Sequence, residues 1–262
     1  MDTIRSASNP KIKEVLALGE KSKLRRDSGL FVVEGVREVS RCISAGFRFK
    51  TLFVCPELLQ GALPREFGGL ESIRIDTGRE AYARMARRDG TEGVLGVVYE
   101  RRMSLNDLKF SKPAPLIVVL ESVEKPGNLG AVLRSADAAG ADAVLICDPL
   151  TDLFNPNLIR ASLGTVFSVQ TVVCTSEEAI RFLKDNGIQI LTAQLQDSEV
   201  YYDRDMSKGT ALVMGAESTG LSDLWRKAAD AHIRIPMLGI ADSLNVSVST
   251  AVLLFEAVRQ RR

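Results

Sequence analysis

The sequence predicts an α/β protein with a largely parallel sheet in its second half. Short apolar runs alternate with helical patterns along most of the 262 residues, which is typical of βαβ units. Residues 116–120 form a continuous apolar run, as expected of a strand that is buried on both faces. Hydrophobic residues make up 45% of the chain and charged residues 26%, so the chain can build a full core.

The first hundred residues are predicted to form a small α/β unit. Asn9 followed by Pro10 indicates a helix N-terminus, and a single basic helix is expected over residues 11–26. Further strands are predicted over 30–33, 51–54, 72–75 and 94–99, and further helices over 36–44 and 80–87. Residues 101–115 are polar and contain two prolines, which predicts a linker between a first domain over 1–100 and a second over 116–262.

The second domain continues the alternation of strands and helices. Strands are predicted over 116–120, 143–147, 169–174, 189–193, 211–214 and 232–235, and helices over 128–139, 177–186 and 247–260. Thr175 and Glu178 have the spacing of a capping box at the start of one of these helices. The predicted fold of this domain is therefore α/β with a mostly parallel sheet.

Positive charge is concentrated near the N-terminus. Residues 1–50 contain 11 Lys/Arg and 6 Asp/Glu, a net charge of +5, whereas the other 212 residues contain 23 and 27, a net charge of −4. One interpretation is an arm that contacts phosphates, and the other is a helix face exposed to water. The candidate phosphate ligands are Lys11, Lys13, Lys21, Lys23, Arg25 and Arg26.

Glycine-rich cofactor motifs are missing from the sequence. None of the 20 glycines forms a Gly-x-Gly pair, which excludes the dinucleotide fingerprint and the matching loop of Rossmann-type methyltransferases. A Gly-Lys-Ser/Thr triplet is also missing, which excludes a P-loop. A cofactor of this protein must therefore bind in another way.

Cysteine and histidine usage predicts no metal site and a reduced, cytoplasmic compartment. The four cysteines are far apart, and His232 is the single histidine, so a zinc site is not expected. No run of 18 apolar residues occurs, so no membrane span is expected either.

The first of three candidate functional motifs covers residues 121–134. A strand ends, Pro126-Gly127 turns the chain, and Asn128 is expected to cap a new helix. The predicted buried stripe of this helix consists of Leu129, Val132, Leu133 and Ala136. Arg134 lies on the opposite side and is expected to extend over Gly130 towards an anion at the helix N-terminus. The alternative is a simple cap and a solvent-facing arginine.

The second motif covers residues 212–221, where a buried strand leads into a loop with Gly215, Glu217 and Gly220. Open α/β sheets bind ligands at the carboxyl ends of their strands, so this loop is a candidate ligand site. The alternative is an ordinary turn that places Glu217 near a helix N-terminus.

The third motif covers residues 235–249, with Asp242, Ser243 and Asn245 before a helix. One helix needs only one capping residue, so the additional polar groups are available to bind a ligand. The alternative is that these residues serve only as caps.

Together, the three segments resemble the three motifs of the SpoU/TrmH branch of the SPOUT RNA methyltransferases. Residues 6–13 and 31–35 resemble the ribosomal-protein-like, substrate-binding domain of that family, and the resemblance covers essentially the whole chain. It implies a second domain with a trefoil knot that binds S-adenosylmethionine, and a homodimer built on that domain.

The resemblance also assigns roles to individual residues. It implies a catalytic centre formed by Asn128, Arg134, Glu217, Ser243 and Asn245. The residues that it implies for cofactor binding are Thr192, Ala193, Gln194, Met214, Gly215, Ala216, Glu217, Ile235, Pro236, Met237, Ser243 and Leu244.

The expected activity is methyl transfer from S-adenosylmethionine to a ribose 2′-hydroxyl of structured RNA. Recognition of the 2′-hydroxyl favours RNA over DNA, and a separate RNA-binding domain suits ribosomal RNA better than transfer RNA. Arg134 is expected to act either as a general base or as an electrostatic clamp. The alternative is a non-catalytic RNA-binding protein with a degenerate methyltransferase domain, which the binding of S-adenosylmethionine would help to distinguish.

Overall fold

The computed structural model describes residues 3–87 and 92–262, and within these ranges the chain is a mixed α/β protein. The described residues form two compact units, each with its own sheet. The first unit comprises the chain up to Arg101 together with Asp152–Ser168, and the second comprises Arg102–Thr151 and Val169–Arg262. Among the described residues, no helix has both the length and the apolar composition that a membrane span requires.

The bounds of the described strands and helices agree with most of the predicted elements. In chain order the strands are β1 (Thr3–Ile4), β2 (Leu30–Glu34), β3 (Phe49–Val54), β4 (Arg74–Thr77), β5 (Val94–Tyr99), β6 (Leu116–Glu121), β7 (Ala143–Cys147), β8 (Thr171–Cys174), β9 (Gln189–Ala193), β10 (Glu199–Val200), β11 (Thr210–Met214) and β12 (Ala231–Arg234). The α-helices are α1 (Pro10–Glu20), α2 (Ser22–Ser28), α3 (Val36–Ser44), α4 (Arg79–Met85), α5 (Pro126–Ala139), α6 (Pro156–Ala161), α7 (Ser176–Asp185), α8 (Asp223–Ala228) and α9 (Val246–Gln260). The sequence did not predict β1, β10, α6 and α8, which are all six residues or shorter.

The sheet of the first unit has mixed strand directions in the order β1-β4-β3-β5-β2. Strand β5 is antiparallel to both β2 and β3, whereas β3, β4 and β1 are parallel to one another. Helix α1 contributes Ile12, Val15 and Leu18 to the core, at the three-residue spacing of one helix face. The side chain of Asn9 caps α1 and Pro10 occupies its first turn, as the sequence predicted.

The prediction of one helix over residues 11–26 is wrong, because the chain forms two helices that are separated at Lys21. Lys21 has an extended conformation (φ −101°, ψ 102°), and α2 then ends at Gly29 in the left-handed region. Arg25 lies on α2, after this break, and its side chain is directed into the interior of the first unit. Arg25 is buried, so the expectation that it contacts phosphates is also wrong.

The segment Asp152–Ser168 lies in the first unit, whereas the sequence analysis assigned it to the second domain. A buried ion pair joins Arg25 Nε to Asp152 Oδ2 at 2.5 Å, with 4% and 9% of the two side chains exposed. Phe154 stacks on Phe31 with a centroid distance of 4.3 Å, and Phe167 lies 6.0 Å from the same ring. The ion pair therefore ties this segment to helix α2, and the aromatic cluster ties it to strand β2.

Residues 102–115 also differ from the linker that the sequence predicted, because they belong to the second unit. Met103 forms a bridge with Val172 beside strand β8, and Gln170 bonds the backbone of Lys109. The partly buried side chains that pack on the core here are Met103, Leu105, Leu108 and Phe110.

The sheet of the second unit consists of parallel strand pairs in the order β10-β12-β9-β11-β6-β7-β8. Strands β6, β7 and β11 are buried along their whole length, so both faces of the sheet are covered. Strands β12, β9, β11 and β6 are neighbours, and all four end at the same edge. The three candidate motifs follow β6, β11 and β12, so the fold brings them to this edge.

Helix α5 begins at Pro126, with Lys125 as its N-cap residue, so the prediction that Asn128 caps this helix is wrong. Proline is well suited to the first helical position, where no N–H partner is needed. The predicted buried stripe is confirmed, and Gly130 is buried as well, whereas Arg134 is exposed. Asn128 therefore lies in the first turn with its side chain available for other contacts.

We expect Arg25→Met to destabilise the first unit by about 3–5 kcal/mol, because Asp152 would stay buried without a counter-charge. Hydrogen exchange of the β2 and β5 amides measures this loss. Fluorescence of Trp225, the single tryptophan, reports on the second unit.

The control is Arg26→Met, which removes an exposed charge from the same helix and should change stability by no more than about 0.5 kcal/mol. Equal losses in the two variants would contradict a structural role for the ion pair.

Candidate active site

An open cavity of about 650 Å³ lies at the carboxyl ends of strands β9, β11 and β12. Its walls come from three loops over residues 194–196, 215–221 and 235–245, and from the start of α9. Among the residues expected to bind a cofactor or to form the catalytic centre, those lining this cavity are Ala193, Gln194, Met214, Gly215, Ala216, Glu217, Ile235, Met237, Ser243, Leu244 and Asn245. The structure thus brings most of the predicted residues together.

Two of the predicted cofactor residues do not line this cavity. Thr192 is fully buried, and its Oγ1 lies 2.6 Å from Nδ1 of His232 on the neighbouring strand. Its hydroxyl is therefore occupied by a contact within the sheet. Pro236 is half-buried between two cavity residues but is not itself part of the wall.

The cavity wall also contains residues to which the sequence analysis gave no catalytic or cofactor-binding role. These are Leu195, Gln196, Thr219, Gly220, Leu221, Arg226, Ile233, Arg234, Asp242, Val246 and Ser249. Most of them directly follow a predicted strand or lie within the second and third motifs. They could have been predicted, because open α/β sheets bind ligands at the carboxyl ends of their strands. Arg226 is different, because it lies on the unpredicted helix α8 and no sequence signal points to it.

The loop after β11 is tightly closed and requires glycine at position 215. A Cβ atom on Gly215 would lie 2.4 Å from the backbone carbon of Gly220, where no real Cβ atom fits. Ala216 and Gly220 form a short antiparallel bridge, and the N–H of Gly220 donates to the carbonyl of Ala216 at 2.9 Å. Glu121 Oε2 accepts a hydrogen bond from the backbone N–H of Ser222 at 2.8 Å, which ties the loop to the end of β6.

Two cavity residues have buried polar atoms without a partner. Within the described part of the chain, Oε1 of Gln194 and Nε of Arg226 accept or donate no hydrogen bond. The amide nitrogen of Gln194 donates to the carbonyl of Gln196 at 2.9 Å, so its oxygen is left as an unused acceptor. Buried polar groups normally find partners, so these atoms indicate polar contacts that a ligand would supply.

Residues of the three motifs meet in one hydrogen-bonded cluster. Glu217 Oε1 accepts from Nδ2 of Asn128 at 2.6 Å and from Nδ2 of Asn245 at 3.0 Å. Nδ2 of Asn245 also donates to Oδ1 of Asn128 at 3.2 Å. Oδ1 of Asn245 accepts from the N–H of Ser247 at 2.9 Å and thereby caps helix α9.

A cation completes this cluster. Lys125 Nζ donates to Glu217 Oε2 at 2.7 Å. This hydrogen bond, with the charge of Lys125 and the bond from Asn128, outweighs the effect of desolvation and lowers the pKa of Glu217. The same contact raises the pKa of Lys125, so at neutral pH both groups are charged.

A second, smaller cavity of about 220 Å³ adjoins the cluster. Its wall consists of Val123, Glu124, Lys125, Asn128, Glu217 and Ser218. Glu217 lines both cavities, so the hydrogen-bonded cluster lies where they meet.

Arg134 and Ser243 lie outside the hydrogen-bonded cluster. Arg134 is exposed on helix α5 and lines neither cavity, and in the described part of the chain its guanidinium has no hydrogen-bonded or ionic partner. Ser243 lines the larger cavity, and among the described residues its hydroxyl has a single, long contact of 3.4 Å, with Asp242.

The fold and these cavities define a class of protein: an α/β domain that binds its ligand with loops at the carboxyl ends of parallel strands. Comparison with known proteins identifies the family. Residues 115–255 match the SpoU rRNA Methylase family, and residues 9–96 match the MRM3-like substrate binding domain. The chain therefore belongs to the SpoU rRNA methylase family.

Several relatives are similar to nearly the whole chain. It is 27% identical to the 23S rRNA (guanosine(2553)-2′-O)-methyltransferase RlmP of Bacillus subtilis, over 97% of this chain and 98% of that one. It is 30% identical to the 23S rRNA (uridine(2479)-2′-O)-methyltransferase of Streptomyces viridochromogenes, over 93% and 87%. An AdoMet-bound rRNA methyltransferase from Sinorhizobium meliloti is 32% identical with a TM-score of 0.88, over 98% and 97%.

We expect Gly215→Ala to weaken binding of S-adenosylhomocysteine by at least about tenfold, because a methyl group cannot fit against Gly220 and the loop must open. Isothermal titration calorimetry measures the change. Gly239→Ala is the matched control, since a Cβ atom there meets nothing within 4 Å. Wild-type affinity in Gly215→Ala would mean that the loop shape is not needed for binding.

Proposed function

We propose that this protein transfers a methyl group from S-adenosylmethionine to a ribose 2′-hydroxyl of ribosomal RNA. The observation that carries this proposal is the position of the cluster of Glu217, Asn128 and Asn245, which lies where the two cavities meet. The larger cavity would hold the cofactor and the smaller one the ribose. Family membership and relatives named as 23S rRNA 2′-O-methyltransferases support the same reaction.

The larger cavity fits S-adenosylmethionine. Its volume of about 650 Å³ is within the range of roughly 300–1,000 Å³ usual for small-molecule sites. Met214, Ile235 and Leu244 offer apolar surface to an adenosine group, while the unpartnered atoms of Gln194 and Arg226 offer polar contacts. When bound, this cofactor supplies a methyl group on a positively charged sulfur.

The amide cluster would orient the ribose hydroxyl. An ionised carboxylate only accepts hydrogen bonds, so Glu217 requires the NH₂ groups of Asn128 and Asn245 to point towards it. Oδ1 of Asn128 accepts one bond from Asn245, and its second lone pair can accept a hydrogen bond from a ribose 2′-hydroxyl. Holding the ribose 2′-oxygen in line with the methyl group lowers the entropic cost of the reaction. The proton leaves to solvent, since an amide oxygen is too weak a base to keep it.

Arg134 is proposed as the group that binds the neighbouring phosphate and stabilises negative charge on the reacting oxygen. An arginine side chain stays protonated in proteins, which argues for this electrostatic role rather than general base catalysis. Its exposure and its lack of a partner among the described residues support a contact with a substrate. The hydroxyl of Ser243 would contribute a further hydrogen bond at the cavity wall.

The first unit is proposed to bind the RNA substrate. Residues 9–96 match a substrate-binding domain, and five basic side chains on α1, α2 and the break between them are exposed. These are Lys11, Lys13, Lys21, Lys23 and Arg26. The relatives named above act on a guanosine and on a uridine, so the family resemblance leaves the target base open.

Three further properties are proposed from family membership. The second unit would contain a trefoil knot, and the insertion of β12 between β9 and β10 is compatible with it. Two copies would associate through this unit, because Leu238 and Ile240 are 97% and 106% exposed and Phe255 on α9 is half exposed. A cytoplasmic location is supported by four free cysteines.

The test of the function is methyl transfer from radiolabelled cofactor to 23S rRNA that lacks its natural 2′-O-methyl groups. We expect label at a single nucleotide, in a form that resists alkaline cleavage. A non-catalytic RNA-binding protein, the alternative, would bind this RNA without labelling it.

In this assay we expect Arg134→Ala to abolish methyl transfer while leaving cofactor binding and stability nearly unchanged. Its side chain lies off the buried stripe of α5, so its loss opens no cavity in the core. Arg134→Lys should also be inactive, because an ammonium group cannot reproduce the planar contacts of a guanidinium with phosphate. If the lysine variant retained most of the wild-type rate, the geometric argument would be wrong.

We expect the combined substitution of Lys21, Lys23 and Arg26 by glutamine to weaken binding to all RNAs alike. Phosphate contacts position an RNA without reading its bases, so the methylated nucleotide should not change. Filter binding across a salt series should give a slope that is flatter by about one unit per lost contact.

The matched control for this variant replaces Lys184, Lys208 and Lys227, three exposed lysines of the second unit, and removes the same net charge. An equal loss of affinity in the control would point to a general charge effect rather than a basic surface on α1 and α2.

A further inference from the structure

We propose that Lys125 is a positioning residue for the reaction, because its ammonium group holds the Glu217 carboxylate in the orientation that fixes the amides of Asn128 and Asn245. This inference rests on the proposed function. Lys125 stands directly before helix α5, and no motif analysis of the sequence assigned it to the site.

The two oxygens of Glu217 have separate tasks. Among the described residues, Oε2 accepts from Lys125 alone, at 2.7 Å, whereas Oε1 accepts from both asparagine amides, at 2.6 and 3.0 Å. The two oxygens of an ionised carboxylate are equivalent, so a half turn would restore these contacts, but a smaller rotation would break the paired contacts at Oε1. The cation at Oε2 opposes such a rotation, so it keeps one carboxylate oxygen directed at both amides.

The orientation of Asn128 depends on this arrangement. Its amide nitrogen donates to Glu217, so its Oδ1 points away from the carboxylate and receives only the long bond of 3.2 Å from Asn245. A neutral Glu217 would carry a hydroxyl donor, and that donor would favour the opposite orientation of an amide. Lys125 therefore acts on the substrate-facing oxygen of Asn128 through Glu217.

The backbone fixes the position of Lys125, although its side chain is 70% exposed. Its carbonyl accepts the N–H groups of Asn128 and Leu129 at 3.0 and 3.2 Å, as an N-cap residue does. An ion pair this exposed to water contributes little to folding. Its removal should therefore change the orientation of the cluster and leave the fold intact.

The charge of Lys125 also determines how the cluster responds to pH. Its hydrogen bond is the largest cause of the lowered pKa of Glu217. The other charged groups on the two cavity walls are Glu124, Asp242, Arg226 and Arg234. Loss of Lys125 would raise the pKa of Glu217, so on acidification the carboxylate would be protonated at a higher pH than in the wild type. A function that needs the ionised carboxylate would then be lost at that higher pH.

The experiment compares Lys125→Met and Lys125→Arg with the wild type, in the full chain. Side-chain amide NMR signals of Asn128 and Asn245, assigned with single alanine variants, report the titration of Glu217. We expect the midpoint of this titration to move to higher pH in Lys125→Met and to stay near the wild-type value in Lys125→Arg. Lys184→Met, which removes an exposed lysine on α7, is the control and should leave the midpoint unchanged.

The second readout is methyl transfer as a function of pH. We expect Lys125→Met to lower kcat by roughly 10- to 100-fold, since small misplacements of reacting groups have effects of this size. The acid limb of its pH profile should move upward together with the amide titration. KM for RNA and the affinity for S-adenosylhomocysteine should stay within about twofold, and Lys125→Arg should restore most of the rate.

The outcomes separate this proposal from its alternatives. A higher KM for RNA with unchanged kcat, pH profile and amide titration would mean that Lys125 contacts an RNA phosphate and does not position Glu217. An Asp242→Asn variant that moves the acid limb as far as Lys125→Met would assign that limb to Asp242 and overturn the proposal. If the wild type transfers no methyl group, the proposed function fails, and the amide titration still decides whether Lys125 controls Glu217.

Discussion

The parallel direction of four neighbouring strands, β12, β9, β11 and β6, is the constraint on which the site depends. Parallel strands end at the same edge of a sheet, so the loops that follow them emerge side by side. Asn128 and Asn245 are 117 positions apart in the chain, yet their side chains hydrogen-bond to each other at this edge. A carboxylate between them then joins side chains from all three motifs in one cluster.

Local patterns predicted the parts of the fold that depend on neighbouring residues. Strands β5, β7 and β9 and helix α3 have the predicted bounds, because burial on a sheet or a helix face imposes a period on the sequence itself. The three motifs were also found, since each combines a strand end with polar or charged residues. Half of the cavity wall followed from these two local signals.

Long-range contacts account for what the sequence analysis missed. Arg25 pairs with Asp152, which lies 127 positions away in the chain. The sequence around Arg25 does not show this partner, so its positive charge led to the wrong prediction that it contacts phosphate. The error at Asn128 is local instead: Asn128 has the chemistry of an N-cap, but Pro126 starts the helix two residues earlier. The hydroxyl of Thr192 is occupied by His232 on the adjacent strand, a contact that only the register of the sheet reveals.

The excursion of Asp152–Ser168 into the first unit affects the order in which the protein is completed during its synthesis. Phe154 and Phe167, which pack on Phe31, leave the ribosome only after strands β6 and β7 have been made. The first unit therefore cannot complete its core until part of the second unit has been synthesised, although most of its residues come first in the chain. The same discontinuity means that an exchange of the first unit between relatives would have to transfer two separate stretches of sequence.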